Sequence, residues 1–200
     1  MNKKEELEKI KVDMEADKTL PLITKPEDVI PGYGNPDSKI VLIGEAGGYH
    51  ESIQRKPFVG AAGKLLTSLL GSIGIDREEV YITNMVKTRP PENRDPSPEE
   101  LSAYGKYLDR ELEVIKPKVV ITLGRFSMAK FLPLARISSV HGKPERVKWG
   151  DGELVVVPMY HPAAALRNGS VMIQEKEDFL KLPEILEEVN KPVVVQEQLI

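Results

Sequence analysis

Three short segments carry side chains that could do chemistry. GEAGGYHE (44–51) sets two carboxylates, Glu45 and Glu51, among small residues. TNMVKTRPPENR (83–94) places an amide, Asn84, in an apolar run and follows it with Lys87, Arg89, Asn93 and Arg94 around a proline pair. YHPAAALRN (160–168) puts His161 before a proline, then Leu166 and Arg167. Glycines 44, 47 and 48 allow backbone N–H groups to approach a ligand closely. An amide offers one acceptor and two donors, enough to read a pyrimidine edge. A neutral imidazole can donate to a developing oxyanion. Phe58, after Pro57, could stack on a planar base. A leucine beside an arginine suits insertion into a minor groove. Each feature also has a plainer use, as a turn, a helix-end hydrogen bond, core packing or a solvated charge. GAAGK (60–64) imitates a phosphate loop but fails the pattern, because Phe58 and Leu65 occupy the positions that require glycine and Ser/Thr.

The elements that must hold these segments follow from periodicity. Residues 3–17 have a helical pattern, and a proline-containing stretch runs from Pro21 to Pro36. KIVLIGE (39–45), VYITNMVKT (80–88), PKVVITLG (117–124) and ELVVVPM (153–159) are short apolar runs bounded by turn signals, the mark of buried strands. Helices are expected over 60–75, 97–116, 125–133 and 175–191. That at 97–116 begins with Ser97 as cap, Pro98 in the first turn and Glu100 at the capping-box position. RPPENRDPSPEE (89–100), with its four prolines, is not expected to be regular. A hairpin is expected to lead into the last strand. Strands alternating with helices predict an α/β fold, a three-layer α/β/α sandwich with a short, mostly parallel central sheet. Ligands of such sheets bind beyond the carboxyl ends of the strands, where GEAGGYHE, TNMVKTRPPENR, LGRFS and YHPAAALR all fall.

Composition narrows the function. Two hundred residues, 40% hydrophobic and 30% charged, suit one domain with a proper core. The absence of cysteine excludes disulfides, thiolate-held zinc and cysteine-ligated iron–sulfur clusters. The three histidines, at 50, 141 and 161, show no close metal-ligand spacing. A net charge of −3 does not announce a nucleic-acid partner, so any such site must be a local basic patch. No apolar run approaches the ~18 residues that span a bilayer, and the charged N-terminus is not a signal peptide, so a cytoplasmic protein is expected.

Taken together, GNPDSKIVLIGEAGG, RKPFVGAAGKLL, VYITNMVKTRPPENRDPSPEE, IKPKVVITLG and PMYHPAAALRN resemble, in order and spacing, the uracil-DNA glycosylase superfamily. The likeness is strongest to its fourth family, which normally carries an iron–sulfur cluster. The resemblance covers roughly residues 33–190. It implies hydrolysis of the N-glycosidic bond of uracil in DNA, leaving an abasic site. It implies that the backbone of Glu45–Ala46 meets uracil O2 and holds the attacking water, that Phe58 stacks on the base, and that Asn84 reads the N3 and O4 edge. His161 would steady the departing anion, and Glu51 would wall off C5 against thymine. Glu45 or Glu51 could orient the water, since Ala46 stands where the best-known glycosylases of this fold use aspartate. DNA would be gripped by Arg89, Asn93 and Arg94 on one side and by the Leu166–Arg167 loop on the other. Two departures stand out: Gly47 replaces the usual proline, and all four cluster cysteines are gone. Thr88 and Tyr104 mark two of the lost positions, and the other pair falls near Asp17 and Leu20. The expectation is therefore an enzyme without cofactor or metal. The alternative is a weak or inactive glycosylase-like protein that only binds damaged DNA.

Three regions are expected: an N-terminal helix and linker over 1–32 packed on the domain, the glycosylase-like domain over 33–190, and a tail over 191–200. In the tail, QEQLI (196–200) loosely resembles peptides that dock on replication sliding clamps. The competing expectation is that the apolar tail packs back on the domain. Uracil-containing DNA, single- or double-stranded, is the expected partner, and a monomer the expected state.

Overall fold

The structure, a computed structural model, describes residues 1–191. The peptide proposed for clamp docking, 196–200, lies outside the described residues. Strand β1 is Tyr33–Gly34, β2 Ile40–Ala46, β3 Tyr81–Val86, β4 Val119–Leu123, β5 Glu145–Trp149 and β6 Gly152–Met159. Helix α1 is Lys3–Ala16, α2 Tyr49–Gln54, α3 Ala61–Ser72, α4 Pro98–Ile115, α5 Arg125–Phe131, α6 Ile137–Val140, α7 Pro162–Ala165 and α8 Gly169–Asn190.

The strands form one sheet in the order β1-β3-β2-β4-β6-β5. The four inner strands run parallel, and the edge strands β1 and β5 are antiparallel to their neighbours. Every residue of β3 and β4 is buried, as apolar runs covered on both faces must be. On one face Leu42, Ile82, Ile121 and Val157 pack against Leu66 and Leu70 of α3 and Phe179 and Leu182 of α8. On the other, Val41, Ile43, Val120 and Val156 meet Leu108, Leu112 and Ile115 of α4. The sheet flanked by helices is the expected α/β/α sandwich.

The local signals at α4 act as read. The Ser97 side chain accepts the Glu100 N–H at 3.2 Å, and the Glu100 carboxylate accepts the Ser97 N–H at 2.9 Å. The Pro-rich loop before it is irregular except for a single tight turn over Pro91–Asn93, in which Glu92 and Asn93 hold left-handed φ values of 54° and 53°. Other elements differ from expectation. Helix α8 begins at Gly169, six residues before the expected start, because the Asn168 side chain caps it by accepting the Ser170 N–H at 2.9 Å. It also runs through Pro183, while Phe179, Leu182 and Ile185 hold it to the sheet. Helix α2 is not among the expected helices, because six residues are too few for a helical period to show.

Residues 1–32 wrap the α4 side. Ile10, Met14, Leu20 and Val29 share a cluster with Val86, Tyr104 and Tyr107. Asp17 accepts from the Thr19 hydroxyl at 2.6 Å, the Tyr107 hydroxyl at 2.6 Å and the Lys106 ammonium at 3.0 Å, bonds that hold its carboxyl well below the usual range.

Helix α8 buries two acids. Asp178 is paired with His141 Nδ1 at 2.5 Å and Lys181 Nζ at 2.9 Å. Glu175 is fully buried with neither carboxyl oxygen hydrogen-bonded to protein, and burial, with Asp178 adding to it, pushes its pKa up from 4.5 to about 8. Between those values the folded state keeps a proton that the unfolded chain releases, so this group's contribution to stability falls as pH rises through the window. The slope is at most ~1.4 kcal/mol per pH unit. Denaturant melts at pH 5 and pH 8 should therefore show a smaller loss for Glu175→Gln than for the unsubstituted protein. Equal losses in the two would reject this role.

Candidate active site

A cavity of about 680 Å³ opens at the carboxyl ends of β2, β3, β4 and β6. Glu45, Ala46, Gly48, Glu51, Phe58, Asn84 and His161 all line it. Segments more than a hundred residues apart in sequence thus share one space, because parallel strands bring their following loops to the same end.

Crowding fixes its floor. Gly44 and Asn84 are register partners on β2 and β3. A Cβ on Gly44 would lie 2.6 Å from the Phe58 ring and closer still to Asn84 Oδ1. Phe58 is held from behind in a left-handed conformation, φ 54°, with its carbonyl against Gly63 of α3, where a Cβ would overlap it. Gly63, the glycine before the lysine of GAAGK, therefore serves close packing. Phe58 stacks on the His161 ring at 5.5 Å between centroids and 25° between planes.

Asn84 is 2% exposed, and its Oδ1 has no hydrogen-bond partner. A buried, unpartnered amide oxygen costs on the order of 1–3 kcal/mol, so its presence in a cavity wall points to a ligand donor. His161 caps α7 by accepting the Ala163 N–H on Nδ1 at 3.1 Å, which leaves Nε2 to carry the proton of the neutral ring. Burial first, then the nearby Arg167 charge, lowers its pKa to about 4, so the ring is neutral near pH 7.

The two carboxylates differ. Glu51 Oε1 accepts the N–H groups of Val59 and Gly60, both at 2.8 Å, and so ties α2 to the loop that carries Phe58. Glu45 Oε1 accepts the Phe126 N–H at 3.2 Å at the start of α5. Its pKa is raised, chiefly by burial and further by Asp95.

The rim is basic and partly committed. Arg94, read as a DNA contact, lines the cavity but has its guanidinium on both oxygens of Glu100 at 2.6 and 2.9 Å. It thus also ties the Pro-rich loop to α4. Arg89 donates to Asn93 Oδ1 at 2.8 Å. Arg167 lines the cavity and donates to the Ala163 carbonyl at 3.1 Å. Leu166, exposed at the end of α7, stands outside the cavity lining, as does Arg89. Gly124, Arg125 and Asp95 also line it. The first two lie in LGRFS, a segment placed at a strand end by its sequence but given no role. Tyr160 was not singled out, and its ring packs on His141 at 4.6 Å.

Residues 31–187 match the uracil DNA glycosylase superfamily. The chain belongs to this superfamily. It is similar to the type-4 uracil-DNA glycosylase of Archaeoglobus fulgidus, with 48% identity over 163 residues covering 78% of this chain and 81% of the relative. The type-4 enzyme of Sulfurisphaera tokodaii is 43% identical over 185 residues, 90% of this chain and 84% of the relative. That of Saccharolobus solfataricus is 44% identical over 175 residues, 84% and 80% of the two chains.

The cluster implied by that likeness does not fit the residues present. The chain has no thiolate to offer. Tyr104 is fully buried and donates its hydroxyl to the Pro21 carbonyl at 2.6 Å, and Leu20 packs in the same apolar cluster. Thr88 is buried beneath the loop start and its carbonyl accepts the Gly47 N–H at 3.3 Å. Among the described residues no group of three or more His, Asp or Glu side chains is placed to hold a metal ion.

The second departure has its own compensation. Ile30 donates its N–H to the Lys87 carbonyl at 2.7 Å and lays its side chain over Gly47, where a Cβ would overlap Ile30 Cδ1. The N-terminal segment thus fills the space that a side chain at 47 would take and steadies the turn after Glu45–Ala46. Gly47→Ala should cost about 1–3 kcal/mol by overpacking, and Ile30→Ala about 2–5 kcal/mol by leaving a cavity. Combined, they should cost clearly less than the sum, because each relieves the other. Strict additivity in thermal or denaturant melts would show that the two positions are not in contact.

Proposed function

We propose that this protein is a monofunctional uracil-DNA glycosylase of base-excision repair that needs no iron–sulfur cluster. The unpartnered oxygen of Asn84 at the wall of the cavity is the observation that carries the reading. Uracil presents N3–H and O4 side by side. The Asn84 amide can accept from the first and donate to the second, whereas cytosine offers the opposite pattern. Phe58 supplies a ring for stacking. Glu51, its carboxylate pinned by Val59 and Gly60, supports a wall beside C5.

A base inside a duplex is out of reach, so the uracil nucleotide must swing out into the cavity. The bond between N1 and C1′ then breaks, its electron pair leaving with uracil. His161, neutral and with its proton on Nε2, donates to the oxyanion that forms at uracil O2, and the Ala46 backbone assists. Water adds through its oxygen to C1′ and gives up a proton. Glu45, buried and with a raised pKa, is the group we assign to orient and receive it. Arg89, Asn93, Arg94, Leu166 and Arg167 form the DNA-facing rim.

Release of uracil from an oligonucleotide by iron-free protein tests the whole reading. Binding without release would support the damage-binding alternative. His161→Ala should slow release by about 10²–10³. His161→Asp separates chemistry from folding, because an ionised aspartate can still cap α7 but has no proton to donate. If His161→Asp retains full activity, the donor role is wrong. With His161 neutral down to about pH 4, the rate should also lack a histidine inflection near pH 6.5.

Asn84→Asp replaces the donor facing O4 with a carboxylate oxygen and should lower uracil release by at least about tenfold. An unchanged rate would remove Asn84 from base reading.

A further inference from the structure

We propose that Tyr49, backed by Arg89, is a stacking platform for the nucleobase that flanks the flipped-out uracil on the same strand. This rests on the uracil-DNA reading but concerns a different part of the molecule. Tyr49 is the first residue of α2, between Gly48 and Glu51, which both line the cavity. Its ring does not serve the core, since the residue is 56% exposed.

The ring is nevertheless held in place. The Arg89 guanidinium lies over it, 5.2 Å from the centroid, and His50 meets it edge-on at 5.5 Å and 74°. Arg89 is itself fixed by its bond to Asn93, which lines the cavity. The aromatic–cation pair is therefore anchored to the cavity wall from two loops, one after β2 and one after β3. Ile53, one helical turn on, is 64% exposed and extends the apolar strip.

The chemistry of this pair suits one ligand class. Every nucleobase has a π-face, so an aromatic ring binds it without reading sequence. Swinging uracil into the cavity takes away the stacking partner of its neighbour, and the freed face needs a replacement. Arg89 adds a positive charge beside the strand on a chain whose net charge is −3, where attraction to DNA must be local. Glu51, on the same short helix, is turned inward to Val59 and Gly60 and leaves the outer face without a carboxylate from that residue.

A cycle between protein and substrate tests the platform. Single-stranded oligonucleotides would carry one deoxyuridine with a natural base, or a baseless tetrahydrofuran unit, on its 5′ or its 3′ side. Uracil release (kcat/KM) and binding by fluorescence anisotropy would be measured for each. Deleting the base on one side should weaken the unsubstituted protein about 5- to 20-fold. Tyr49→Ala should lose a similar factor on the natural substrate and nothing further when that base is absent, while Tyr49→Phe retains the effect. Full, independent losses in the cycle, or an unaltered Tyr49→Ala, would overturn the proposal. A protein that shows the coupling in binding but releases no uracil would sink the glycosylase reading and leave the platform standing. No binding to any of these oligonucleotides would end both.

Discussion

A single missing atom decides the shape of the site. With a Cβ at position 44, neither Asn84 nor the Phe58 ring could occupy its place. Around that gap the rest is arranged in contact order. Helix α3 presses on the Phe58 backbone at Gly63, Phe58 stacks on His161, and Asn84 stands across from Gly44 on the neighbouring strand. The strain of a non-glycine residue at positive φ, ~1–3 kcal/mol, is carried by this packing. A cavity wall built this way is fixed by close packing on every side.

Electrostatics divides the site into an inner and an outer zone. Inside, burial keeps His161 neutral and raises the pKa of Glu45, so that the first holds its proton without a charge and the second binds a proton more readily than a surface carboxylate. Outside, Arg94, Arg125 and Arg167 border the cavity, although the chain as a whole is acidic. The bidentate bond of Arg94 to Glu100 shows that a rim cation can do structural work at the same time. It couples the Pro-rich loop to the first turn of α4.

The N-terminal segment is joined to α4 and to the turn after β2 by its own side chains. Its contacts are of ordinary types: an apolar cluster, the Tyr104 hydroxyl on the Pro21 carbonyl, the Asp17 carboxylate among Thr19, Tyr107 and Lys106, and Ile30 against Gly47. Such contacts are distributed along the segment, where a cluster would concentrate the same connection in four ligands. They contain no thiol, so none of them is a disulfide or a cysteine–iron bond. They also place the turn after β2 under the influence of residues far from it in sequence.

Much of this was written in the sequence. Apolar runs of strand length alternating with helical patterns fix the layered fold, because backbone polar groups and apolar faces leave few other ways to be buried together. Ser97, Pro98 and Glu100 announce the start of α4 because capping is local chemistry. Asn84 could be singled out as a lone amide in an apolar run, and Phe58 and His161 because each stands beside a proline, and the order of the motifs tied them to one superfamily. What the sequence could not show is whatever depends on distance across the fold. That Glu51 spends its carboxylate on Val59 and Gly60, that Glu45 turns to the start of α5, and that Arg94 is taken by Glu100 are outcomes of packing. So is the exposure of Tyr49, which looks in sequence like any aromatic bound for the core. Residue type and spacing determine what a side chain is able to do; which partner it meets, and whether water reaches it, is settled only when distant segments close around it.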